Sequence, residues 1–161
     1  MRSQATLRAE GRLLAALAGL GSAALLLAAF GFQYIGGLFP CELCLWQRWP
    51  HAVAIAIAVL SAFLGARHLG WLGALAVLTT AGIAFFHSGV EMGWWEGLAS
   101  CSGGSLANIS ASDLLNPDVV IAEPVRCDAV PWAFLGLSMA SWNGILSVAL
   151  AFIWIAAARR G

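Results

Sequence analysis

The chain has 161 residues, 61% hydrophobic and only 10% charged, with a mean hydropathy of +0.85. A soluble domain carries roughly 25% charged residues, so this composition argues against a water-soluble enzyme, and its hydrophobicity argues against a disordered chain. All eight basic residues are arginine and the formal net charge is zero; with no basic block, nothing points to nucleic acid.

The uncharged runs read as an all-α membrane protein, a single four-helix transmembrane domain over residues 1–161. The first run covers 13–32, twenty residues, enough to cross about 30 Å of hydrocarbon at roughly 1.5 Å per residue. It is longer than the core of a cleaved signal, about 7–15 residues, and continues into Gln33 and Tyr34 without a small-residue cleavage site. The second and third runs, 49–66 and 69–86, are separated only by Arg67 and His68, which makes them antiparallel neighbours. The fourth covers 132–158. Two larger loops, 33–48 and 87–131, lie on one side of this arrangement.

Arginine placement sets the expected orientation. Arg2, Arg8, Arg12, Arg67, Arg159 and Arg160 fall on one side, against Arg48 and Arg126 on the other. The positive-inside rule then makes both termini cytoplasmic and turns the two larger loops outward. Trp46, Trp49, Trp94, Trp95 and Trp132 cluster at the outer boundary, as an aromatic belt does.

Cys41, Cys44, Cys101 and Cys127 all fall in the outer loops. The outer side of a bacterial membrane is oxidising, so disulfides are expected, and four cysteines allow three pairings. Cys41-Glu42-Leu43-Cys44 has the C-x-x-C spacing of reversible dithiol–disulfide chemistry. Cys101 and Cys127 most simply pair with each other. Two structural staples are one alternative. A four-cysteine zinc site is another, but such sites usually bring two short-spaced pairs; the expectation is no metal.

A redox relay is favoured by the surroundings of Cys44. It falls in the first turn of the second helix, where the macrodipole and unpaired N–H groups favour a thiolate. Arg48 and His51 follow at helical spacing on the same stripe. Pro50 removes one backbone donor, a place where a helix kinks. His87 ends the third run at the same outer depth. An apolar cavity there with polar donors at its mouth suits a lipid-soluble quinone. Haem ligation by His51 and His87 is a weaker alternative, because it leaves the cysteines unexplained.

Pro40-Cys41-Glu42-Leu43-Cys44-Leu45-Trp46-Gln47-Arg48 resembles the C-x-L-C-x-x-Q-R signature of the DsbB family of bacterial disulfide bond formation proteins. His87-Ser88-Gly89-Val90-Glu91 with the following Cys101 resembles the segment leaving that family's third span, and Cys127, Trp132 and Gly136-Leu137-Ser138-Met139 resemble the approach to its fourth.

The resemblance implies a thiol:quinone oxidoreductase in the bacterial inner membrane, with its cysteine loops facing the periplasm. Its partner would be a DsbA-like thioredoxin-fold protein and its acceptor ubiquinone or menaquinone. The partner's thiolate would attack Cys101 of a Cys101–Cys127 disulfide. Freed Cys127 would attack Cys41, releasing Cys44 toward the quinone. Arg48 would hold the quinone, with His87, Met139 and His51 in the same pocket. A vitamin K epoxide reductase-like enzyme and a non-enzymatic membrane protein with two inert disulfides are the alternatives. Within residues 112–121 a short interfacial helix capped by Ser112 or Asp113 and a packed loop are both open readings. Ser138, Ser141 and Asn143 are expected to act as interhelical hydrogen-bond glue.

Overall fold

The computed structural model describes residues 3–98 and 125–161. Cys101 and the segment 112–121, read as an interfacial helix or a packed loop, lie outside the described residues. The described elements are α1 (Gln4–Tyr34), α2 (Glu42–Leu64), α3 (Leu69–Glu91), a two-strand hairpin of β1 (Ala133–Phe134) and β2 (Leu137–Ser138), and α4 (Met139–Arg160). All four helices are long and apolar enough to cross a membrane.

Helix ends follow local chemistry rather than hydropathy alone. Ser3, Cys41 and Ser138 cap α1, α2 and α4, each accepting from the backbone N–H three residues on, of Thr6, Cys44 and Ser141. A cap at Cys41 starts α2 seven residues before the uncharged run, so Glu42 and Arg48 are helical although polar. In the same way α3 extends past Phe86 to Glu91. The fourth helix instead starts late. Residues 132–138 were expected to be helical, but Ala133 pairs with Ser138 and Phe134 with Leu137 in an antiparallel hairpin. Leu135 and Gly136, at φ 53° and 77°, turn the chain between the strands with the positive angles a two-residue hairpin loop requires. Such angles break a helix, and Ser138 then restarts one.

The helices close into a ring. α3 packs on α2 and α4, α1 packs on α2 and α4, and α1 and α3 scarcely touch. Arg160 bonds Glu10, and Gly161 lies against the backbone of Ala66 and Arg67. Both chain ends and the α2–α3 turn therefore share one end of the bundle.

The core is built from small side chains, including Ala15, Ala18, Ala54, Ala74 and Ala151, around the fully buried Trp154. Leu20, Leu27, Phe63 and Leu75 point outward. This inversion of the soluble pattern suits lipid, which solvates large apolar groups; helices in it associate through close packing of small residues. Gly73 shows the closeness, since a Cβ there would fall 2.4 Å from the Trp154 ring. Gly82 on the same helix faces open space.

Gly73→Ala should therefore cost about 1–3 kcal/mol through overpacking, read as a lowered unfolding midpoint in detergent, whereas Gly82→Ala should leave the midpoint unchanged or raise it. Equal effects at the two positions would contradict this packing.

Candidate active site

At the end of the bundle opposite the chain termini, the helices and the hairpin enclose a cavity of about 380 Å³. Leu25, Leu26, Ala28, Ala29 and Phe32 of α1 and Leu146 of α4 give it apolar walls. Phe32 meets Trp132 with ring centroids 5.0 Å apart, Trp132 stacks on Phe134 at 6.1 Å, and the Trp142 indole N–H donates to the Phe134 carbonyl at 3.0 Å. These contacts fasten the hairpin across α1 and α4.

Six of the eight residues singled out in the sequence border this cavity: Cys41, Cys44, Arg48, His51, His87 and Met139. A seventh, Cys127, is fully buried beside it, clustered with Cys41, Leu43 and Val90. The Cys127 sulfur, the Cys41 sulfur and a His87 ring nitrogen all lie within 4.8 Å of one another. Cys101 lies outside the described residues.

Cys41 and Cys44 carry free thiols, and Cys127 is held in a disulfide. The Cys41 and Cys44 sulfurs stand 2.8 Å apart. The N-cap geometry accounts for this closeness, because it folds the Cys41 side chain over the first helical turn, where Cys44 N–H donates to Cys41 Sγ at 3.3 Å. The Cys41 thiol is pushed far above the ordinary thiol range, first by its sulfur hydrogen bond with Cys44 and then by burial. Arg126 and Asp128 flank Cys127 and form an exposed bidentate ion pair. That pair holds the Asp128 carboxyl below its usual value, so it persists throughout the neutral range.

The polar groups at the back of the cavity form one network whose proton positions follow from its partners. Asn143 Nδ2 donates to Gln47 Oε1 at 2.7 Å and to Thr80 Oγ1 at 3.3 Å. Gln47 Nε2 therefore donates, to the Leu43 carbonyl at 3.2 Å and to His87 Nδ1 at 3.0 Å. Neutral His87 then carries its proton on Nε2, which points at the Cys127 carbonyl at 3.2 Å and at Cys41 Sγ at 3.6 Å. Asn143 Oδ1 accepts from His51 Nε2 at 2.9 Å. That leaves His51 Nδ1 a bare acceptor, buried without a partner. Asn143 is the interhelical glue expected of it, and it also borders the cavity. Ser141 joins α4 to α3 through Ser88 at 2.9 Å.

Arg48 reaches across to α1. It donates to Gln33 Oε1 at 2.6 Å and to the Ala29 carbonyl at 3.5 Å, and its guanidinium lies 5.0 Å from the centre of the Phe30 ring. Its Nε is buried without a partner. Among the described residues no carboxylate pairs with it.

The family model for the disulfide bond formation protein DsbB matches residues 11–157. The chain belongs to the DsbB family. A disulfide bond formation protein B of Methylococcus capsulatus is 36% identical over 129 residues, 74% of this chain and 77% of that relative. Proteins of the same name from Xanthomonas campestris pv. campestris and Verminephrobacter eiseniae are 33% identical over 145 residues (84% of this chain, 82% of the relative) and 30% identical over 155 residues (91% and 85%). No solved structure matches.

Against the DsbB signature, the structure adds Gln47, Gln33, Thr80 and Glu91 to the residues chosen from sequence. Gln47 sits inside the C-x-L-C-x-x-Q-R motif, directly before Arg48, and that position was its only signal. Gln33 and Thr80 gave none, because their importance depends on which helices become neighbours.

With Cys41 and Cys44 reduced, iodoacetamide at pH 7–8 should modify Cys44 at least tenfold faster than Cys41, read by peptide mapping. Cys41 is buried and its raised pKa keeps it protonated through neutral pH, so its labelling should accelerate only in strongly alkaline buffer. Preferential labelling of Cys41 at neutral pH would contradict this assignment.

Proposed function

We propose that the chain is a membrane thiol:quinone oxidoreductase, and that it reoxidises a periplasmic DsbA-like dithiol protein and passes two electrons to ubiquinone or menaquinone. Membership of the DsbB family supports the coarser statement, that it is a disulfide-forming oxidoreductase. The observation that carries the finer one is the placing of a free C-x-x-C thiol pair in the wall of an apolar cavity inside a membrane bundle, with a disulfide-bonded Cys127 sulfur within 4.8 Å of Cys41.

The cavity residues suit a quinone. Its walls accept an apolar ring and tail, the Arg48 guanidinium supplies a fixed positive donor, and His51 Nδ1 offers a buried lone pair that a quinol hydroxyl can satisfy. When bound, the quinone accepts two electrons and two protons.

The remaining steps belong to the chain. A partner thiolate attacks Cys101 of the Cys101–Cys127 disulfide and frees the Cys127 thiolate. With Cys41 and Cys44 oxidised to their disulfide, Cys127 attacks Cys41, breaking the Cys41–Cys44 bond, forming a Cys41–Cys127 bond and releasing Cys44 as a thiolate. The partner's second thiolate displaces Cys101 and leaves oxidised. Cys101 then displaces Cys41 from Cys127, so the reduced pair Cys41 and Cys44 delivers two electrons as its disulfide re-forms. His87 supports the exchange by holding the Cys127 carbonyl beside Cys41. Arg48 lies along α2 from Cys44 and favours negative charge there. The distribution of arginine supports both termini in the cytoplasm and the cysteine loops in the periplasm.

The decisive experiment is a thiol count. Protein reduced in detergent, freed of reductant without oxygen and mixed with ubiquinone or menaquinone should lose two or four alkylatable thiols, matched by quinol. Four persisting thiols with either quinone would sink the oxidase reading and leave two structural disulfides. Cys41→Ser and Cys44→Ser should each abolish turnover. Cys101→Ser should block partner oxidation while Cys41 and Cys44 still react with quinone.

Arg48→Met should raise the quinone KM about tenfold to a hundredfold, the loss expected of a hydrogen bond from a charged donor. An unchanged KM in steady-state assays would remove Arg48 from the quinone site.

A further inference from the structure

Quinone reduction moves protons as well as electrons. In the proposed reaction the S–S bond of Cys41 and Cys44 forms as two electrons and two protons leave the thiols. Both electrons and both protons are needed at the two oxygens of the quinone. A proton that does not cross through water at the cavity mouth requires a group in the cavity wall able to take it up and release it.

The wall offers few such groups. His87 is committed on both nitrogens, to Gln47 and to Cys127. His51 is tied to Asn143 through Nε2, and its bare Nδ1 is the atom assigned above to the quinol hydroxyl. Glu91 is different. It is the one carboxylic acid among the described residues that border the cavity. It occupies the last position of α3, just before the exposed Met92. Its side chain is only 5% exposed, and among the described residues no arginine pairs with it. Its Oε2 accepts a hydrogen bond from the Ser138 hydroxyl, the cap of α4, which aims the carboxyl. Its Oε1 lies 3.9 Å from His87 Nε2. An ionisable group retained at such a position is costly, and such residues commonly mark proton paths.

We infer that Glu91 is the proton carrier of the quinone half-reaction. Its carboxylate takes one thiol proton as the Cys41–Cys44 bond forms. Its acid form then gives that proton to an oxygen of the reduced quinone, which restores the carboxylate. The second proton crosses through water at the cavity mouth, so the two lost by the thiols equal the two gained by the quinol. The titratable and charged groups sharing its cavity are His87 on α3, Cys41 at the cap of α2, Cys44, Arg48 and His51 on α2, and Arg126 before the hairpin; α1 and α4 contribute none to this wall.

The inference rests on the thiol:quinone reading, and one experiment separates the two. The full chain is pre-reduced in detergent and mixed with a short-chain ubiquinone, and quinol formation is followed in a single turnover from pH 5.5 to 8.5. If the native protein forms no quinol, the functional reading fails and this inference fails with it. If it does, Glu91→Gln should slow quinol formation at least about tenfold, as loss of a general acid–base does, and should flatten the pH profile. Added propionate should restore part of the rate to Glu91→Gln but not to Arg48→Met, and Glu91→Asp should keep a displaced profile. A Glu91→Gln rate within twofold of native overturns the inference. So does uniform slowing at every pH without rescue by propionate, which would make Glu91 a packing residue.

Discussion

The buried amide of Gln47 is the interaction on which the outer half of the bundle depends. A side-chain amide in hydrocarbon has no water to fall back on, so each of its donors and acceptors must find a protein partner. Gln47 meets that demand on three helices, with Leu43 on its own, His87 on α3 and Asn143 on α4. Satisfying one amide thus sets the register of α2 against its neighbours. It also decides the His87 tautomer, and through His87 it decides where the Cys127 backbone lies against Cys41.

The rest of the bundle supplies the conditions for that network. Small residues at the end nearer the chain termini let the helices close around Trp154. At the other end the aromatic side chains of the hairpin lie across α1 and α4 beside the cavity. The division is physical. Gly and Ala leave no volume to enclose a space, whereas Phe32, Trp132, Phe134 and Trp142 are too large and rigid to fill one completely. An apolar chamber beside a thiol pair follows from placing the small residues at one end and the aromatic ones at the other.

Charge is handled sparingly. Arg48 and Glu91 both border the cavity, and among the described residues neither is paired with an opposite full charge. Arg48 is satisfied by an amide, a carbonyl and an aromatic face, and Glu91 by a hydroxyl and a nearby imidazole. An ion pair would have fixed both groups. Neutral partners hold their positions and leave their charges available to chemistry in the cavity.

Much of this was legible in the sequence because it depends on composition and short spacing. Four apolar runs of spanning length determine four helices in any arrangement of the chain, and C-x-x-C followed by Arg48 and His51 determines one chemical stripe on one helix. The start of α4 was not legible, since hydropathy does not register a hairpin whose turn is Leu135-Gly136. Nor were Gln33 and Thr80, while Gln47 and Glu91 showed only as positions in motifs, without their partners. By itself the sequence determined a membrane bundle with a thiol pair at a helix start. Only the tertiary structure decided which polar groups meet, because the hydrogen bonds of this network join residues up to 96 positions apart, and their partners exist only once the helices are neighbours.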